Sequence, residues 1–116
     1  MIKRILLVAA WGLILGFTAS PGWTAIGDPA KGRATYEKIC INCHGARGKG
    51  DGPTGRLTKP PAADLTSSQV KDKTDDAELL QTIQNGRPGT AMAGMKGELS
   101  DQQIHDVLAY IRSLGR

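Results

Sequence analysis

Aromatic side chains are scarce in this 116-residue chain, at 4 % of the residues. Trp11, Phe17 and Trp23 all lie near the N-terminus, so the remainder keeps only Tyr36 and Tyr110. Large apolar side chains for a core are therefore few. A small domain buries a modest share of its surface and usually needs a staple, a metal or a cofactor. Strand-like alternation is missing as well, which removes the βαβ context expected of a thioredoxin-type C-x-x-C. No apolar run reaches the roughly 20 residues of a membrane span. The net charge of +4 is modest. With no basic cluster and no interleaved aromatics, nothing points to a nucleic-acid partner.

What is present begins with an export signal. Lys3 and Arg4 form a positive n-region, and Ile5 to Phe17 is an apolar run without charge. That length suits a signal h-region. Residues 1–25 are read as the signal, with cleavage somewhere in 22–27. Ala25 can be the last residue removed, although Trp23 fits the small-x-small rule poorly. Ala25-Ile26-Gly27 offers a second match, cutting before Asp28. An uncleaved N-terminal anchor is the competing reading. Residues 26–116 are one domain by length, and loss of Lys3 and Arg4 lowers the net charge from +4 to +2.

Within that domain Asp28-Pro29 reads as an N-cap followed by proline in the first turn. Gly32, Tyr36, Ile39, Cys40 and Cys43 then recur at helical spacing, predicting about three turns that end near the second cysteine. Residues 45 to about 72 are rich in Gly and Pro and read as a long loop, a form that is usually functional or disordered. Asp75 to Asn85 reads as a helix, with Asp75 and Glu78 at capping-box spacing and Gly86 at its end. After a second loop, Ser100 to Gln103 is a capping box. It opens the clearest helix, whose buried face is Ile104, Val107, Leu108, Ile111 and Leu114. The fold class expected is all-α.

Cys40-Ile41-Asn42-Cys43-His44 is a C-x-x-C-H motif that holds both cysteines and one of the two histidines. At a helix end, residues three apart share a face. Each thiol can then form a thioether to one vinyl-derived position on a porphyrin edge, and His44 is carried beneath the ring toward iron. A structural zinc site normally needs four Cys or His ligands. The spare histidine, His105, falls on the amphipathic C-terminal helix and reads as a boundary residue. A disulfide is permissible in an exported chain, but a three-residue loop is short for one. The motif thus points to one covalently attached haem c.

Several segments now carry a family resemblance. The attachment site Cys40 to Gly45, the loop Gly50-Asp51-Gly52-Pro53, the segment Gly89-Thr90-Ala91-Met92 and the helix from Leu99 to Ile111 resemble a class I cytochrome c. The similar proteins are the small periplasmic carriers and oxidase cytochrome c subunits of bacteria. The resemblance covers residues 28–116. It implies terminal helices packed across each other and long loops wrapping one haem. It also implies a methionine ligand opposite His44. Met92 takes that place, with Met95 as the alternative; the family often has Pro and an aromatic where this chain has Ala93 and Met95. The Pro53 backbone carbonyl is the implied acceptor for the free N–H of the His44 imidazole.

A haem with both axial positions filled has no open iron site for a substrate. The expectation is therefore an electron carrier and not an enzyme, working in the periplasm with a transient redox donor and acceptor and with no small-molecule substrate. Methionine ligation and burial of the ring raise the reduction potential. A dedicated subunit of a dehydrogenase or terminal oxidase is the alternative, and a five-coordinate haem sensor or enzyme is a third. Membrane contact would come only through partner complexes or an uncleaved anchor.

Overall fold

The structure, a computed structural model, describes residues 27–115 together with Gly16. The expected export signal and its cleavage region up to residue 26 lie, apart from Gly16, outside the described residues. Five helices follow in order: α1 Pro29–Ile39, α2 Ile41–His44, α3 Ser68–Lys71, α4 Asp76–Asn85 and α5 Asp101–Ser113. Among the described residues there is no strand, only the isolated bridges Gly86–Ala93 and Lys96–Leu99. No described helix is long and apolar enough to cross a membrane.

Side chains start these helices by satisfying amide N–H groups that lack a partner in the first turn. Asp28 accepts from the amides of Ala30 and Lys31 at 2.8 and 3.4 Å. Asp75 accepts from the Glu78 amide at 2.8 Å. Ser100 and Gln103 complete a reciprocal capping box on α5. The long first loop contains one helical turn, α3, that lacks an apolar repeat of its own. It is started by Ser67, whose hydroxyl accepts from the Val70 amide at 3.4 Å.

Helices α1 and α5 cross in close contact, and α4 packs on α5. The crossing needs a residue without a side chain. A Cβ on Gly32 would overlap the Asp106 carbonyl, so only glycine lets the two backbones approach this far. Tyr36, Ile104 and Val107 are fully buried at this contact, each contributing roughly 1.5–3 kcal/mol of apolar transfer energy. Tyr36 meets Tyr110 edge-on, with ring centroids 5.1 Å apart at 63°. Leu65, Ile83, Leu108, Ile111 and Leu114 complete the core. Asp106 is buried among them, and its Oδ1 accepts the Asp28 amide at 2.7 Å and the Gln102 side-chain amide at 2.9 Å. This carboxylate ties the entry of α1 to the middle of α5.

Candidate functional site

Helix α1 stops one residue before the first cysteine. Cys40 is the junction with α2, and its carbonyl accepts the amides of Cys43 and His44 at 3.3 and 2.9 Å. The helical run expected to reach the second cysteine is thus two helices with a joint at Cys40. The short turn of α2 sets Cys40 and Cys43 three residues apart on one face and His44 at its end. Gly45 closes the turn at φ 81°, a left-handed conformation that suits glycine, and a Cβ there would meet the Asp51 carboxylate.

The buried Tyr36 hydroxyl donates to the Gly45 carbonyl at 2.7 Å. Burial pushes this phenol far above its ordinary value, with lesser contributions from Cys40, Tyr110 and Asp51. The hydroxyl therefore stays a donor at any physiological pH, and α1 holds the peptide that follows His44.

His44 Nδ1 lies 3.0 Å from the Ala63 carbonyl. A carbonyl can only accept, so Nδ1 carries the proton and the ring lone pair is left on Nε2. The family resemblance implies the Pro53 carbonyl for this role, whereas the carbonyl within reach of Nδ1 here is that of Ala63. The amides of Gly52, Thr54 and Gly55 bond to the carbonyls of Cys43 and Asn42 at 3.0–3.3 Å. Those bonds tie the segment around the exposed Pro53 to α2. The chain then returns through Ala62, whose amide bonds to Gly55 at 3.0 Å, and Leu65, whose amide bonds to Gly48 at 2.6 Å. Ala63 is delivered to His44 by that return. Nothing local to Ala63 in the sequence signals the role.

Both cysteines are half-buried and outside any disulfide. Burial raises the Cys40 thiol to about 11, and Cys43 beside it adds to the shift.

In the second loop, the Arg87 amide donates to the Met92 carbonyl at 3.0 Å, and the Met92 amide donates to the Thr90 hydroxyl at 3.2 Å. These bonds close a turn with the half-buried Met92 at its end. Met95 is fixed differently. Its amide bonds to the Ile83 carbonyl at 2.8 Å, and its side chain packs against the core, a set to which Met92 does not belong. His105 is occupied by its own helix, its Nδ1 2.7 Å from the Asp101 carbonyl.

The sequence model for cytochrome c matches residues 29–115. The chain belongs to the cytochrome c family. The cytochrome is 34 % identical over 100 residues to cytochrome c6 of Synechocystis sp., a match covering 85 % of this chain and 77 % of that protein. It is 35 % identical over 88 residues to the cbb3-type cytochrome c oxidase subunit FixP of Bradyrhizobium diazoefficiens, covering 76 % of this chain and 28 % of the relative. The cytochrome thus spans under a third of that oxidase subunit. Among solved structures it superposes with a TM-score of 0.67 on a chain of the Kuenenia stuttgartiensis reducing HAO-like protein complex. That match is 28 % identical and covers 76 % of this chain and 44 % of the other.

Proteins of this family carry covalently bound haem c and act in electron transfer. The residues present fit that group. Two thiols share one face of a turn, and an imidazole keeps a lone pair on the nitrogen away from its backbone acceptor. Ile41, Leu79, Leu80, Leu99 and Tyr110 pack against the core while remaining only partly buried, leaving apolar surface for a macrocycle to cover.

Proposed function

We propose that the chain is an exported monohaem cytochrome that passes single electrons between redox proteins in the periplasm, with residues 1–25 as its signal. Cys40 and Cys43 form the thioethers, and His44 and Met92 are the axial ligands. The observation that carries this reading is the Nδ1 contact of His44 with the Ala63 carbonyl at 3.0 Å, which leaves Nε2 as the donor for iron. A backbone acceptor of this kind fixes the orientation of a ligating imidazole and raises its basicity. The turn closed by the Arg87 and Met92 backbone bonds supports Met92 as the choice between the methionines.

The bound haem supplies one-electron Fe(III)/Fe(II) chemistry. The protein's part is to hold the ligands still, so that little reorganises when the charge changes. Tyr36, Gly45 and Ala63 do this on the histidine side, and the Arg87–Met92 turn does it on the other.

A second reading, a dedicated subunit of an oxidase, follows from the likeness to FixP. The match to cytochrome c6, which covers 77 % of that protein against 28 % of FixP, favours a free carrier. Purification of the native protein alone or in a stable complex separates the two. The proposed ligation is tested by the optical spectrum of protein matured with haem. The oxidised form is expected to show a sulfur-to-iron charge-transfer band that Met92→Ala abolishes and Met95→Ala preserves. Loss of the band only in Met95→Ala would reverse the assignment, and rapid carbon monoxide binding by the reduced wild type would exclude six-coordination.

A further inference from the structure

Two large apolar side chains are exposed among the described residues, and both flank the attachment motif. Ile39 directly precedes Cys40 and is 39 % exposed, while Leu57 is 81 % exposed. Leu57 stands on a turn strapped to the motif. Thr54 and Gly55 donate to the Asn42 carbonyl at 3.0 and 3.3 Å, and the Leu57 amide donates to Thr54 at 3.0 Å. The leucine is therefore held by a turn fixed to the motif's backbone and does not sit on a free tail.

Charge at this turn has one sign. Residues 52–63 contain Arg56 and Lys59 and no carboxylate. Both are exposed, and neither belongs to an ion pair among the described residues; those pairs join Arg33 to Glu37 and Arg112 to Asp76. Arg56 is steadied by its Nε donating to the Asp51 carbonyl at 2.9 Å, which consumes no charge. The start of α4 is the opposite case, with Asp75, Asp76 and Glu78 close together.

We propose that Leu57, flanked by Arg56 and Lys59 on the turn bound to Asn42, anchors a docking surface for a redox protein that presents carboxylates around an apolar pocket. The inference rests on the electron-carrier reading above and specifies the partner's chemistry. An apolar anchor inside a charged rim divides the work: the charges speed encounter, and the desolvated side chain lengthens the contact. A lipid surface suits the turn less well. One leucine buries fewer methylenes than a myristoyl chain, which by itself binds membranes only marginally.

The test uses the haem-loaded cytochrome and, as probe, a small blue-copper protein with a carboxylate cluster beside its copper edge. Electron transfer is followed by stopped flow at low and high salt. Arg56→Glu and Lys59→Glu are expected to slow the second-order rate by about five-fold or more at low salt, an effect that fades at about 1 M salt. Leu57→Ser is expected to slow it about three-fold at both salts, because lost apolar contact is not screened. Lys73→Glu, on the turn before α4, serves as the control and is expected to stay within about two-fold of wild type at low salt. Covalent haem and an unchanged optical spectrum in each variant keep loss of the fold separate from loss of docking.

A wild-type rate for Leu57→Ser, or equal effects of Lys73→Glu and Lys59→Glu, would overturn the proposal. So would binding to phosphatidylserine vesicles that Leu57→Ser abolishes while the transfer rate holds, which would assign the turn to a membrane. Failure of the electron-carrier reading looks different: the wild-type protein itself would lack covalent haem.

Discussion

Lys71 and Arg112 cap each other's helices. The Lys71 ammonium donates to the carbonyls of Ile111 and Arg112, both at 2.9 Å, at the end of α5. The Arg112 guanidinium donates to the carbonyls of Val70 and Lys71 at 2.7 and 3.2 Å, and to Thr74 at 2.6 Å. Its Nε also pairs with Asp76 at 2.7 Å. Each cation meets the electronegative end of a helix, where backbone carbonyls have no partner.

Arg112→Ala is expected to destabilise the haem-loaded protein by about 2–3 kcal/mol, since several carbonyls lose a charged donor at once. Arg112→Lys restores only part of this, because an ammonium cannot span the same fork. Denaturant titration with an unchanged m-value checks both.

Gly32→Ala is expected to destabilise by about 2 kcal/mol or more, although alanine favours helix by about 1 kcal/mol. The new methyl would meet the Asp106 carbonyl, so α1 and α5 must part. Thermal unfolding of the haem-loaded protein reads the sign directly.

Tyr36→Phe removes the donor to the Gly45 carbonyl and leaves the ring packing in place. A loss of about 1–2 kcal/mol is expected for one buried hydrogen bond with its acceptor orphaned. Equilibrium unfolding of the two proteins measures it.

The Asp64 carboxylate is held below its ordinary value by the Thr66 hydroxyl and amide, which donate to Oδ1 at 2.6 and 2.8 Å, with Lys49 contributing less. A lowered folded-state value means that the bond stabilises at neutral pH and is lost as pH falls through the carboxylate range. Thr66→Val is therefore expected to be less stable than wild type at pH 7, with the difference shrinking toward about pH 2. Unfolding midpoints across that range provide the check.

Local chemistry made much of this molecule legible in its sequence. The caps at Asp28, Asp75 and Ser100 each act within three residues, so reading them needed no tertiary information. C-x-x-C-H is equally local, and Gly32 and Tyr36 share the buried face of α1 that their spacing marks. The missing pieces all depend on the path of the chain through space. Ala63 reaches His44 across 19 positions, the Asp106 carboxylate reaches Asp28 across 78, and Lys71 reaches the end of α5 across 40. Pro53 sits on the correct loop, but the loop's fold back along α2 decides which carbonyl it presents.

The turn that carries Leu57 has a narrow neck. Ala62 donates to Gly55 at 3.0 Å, so residues 56–61 project from a closed base, while the imidazole donates to the Ala63 carbonyl just beyond. Doubling such a protrusion costs only about 0.6 kcal/mol of closure entropy. Its length and composition can therefore drift, or be grafted from one chain to another, while the ligand geometry behind the neck stays as it was. Partner choice and redox tuning are then separately editable traits of one small domain.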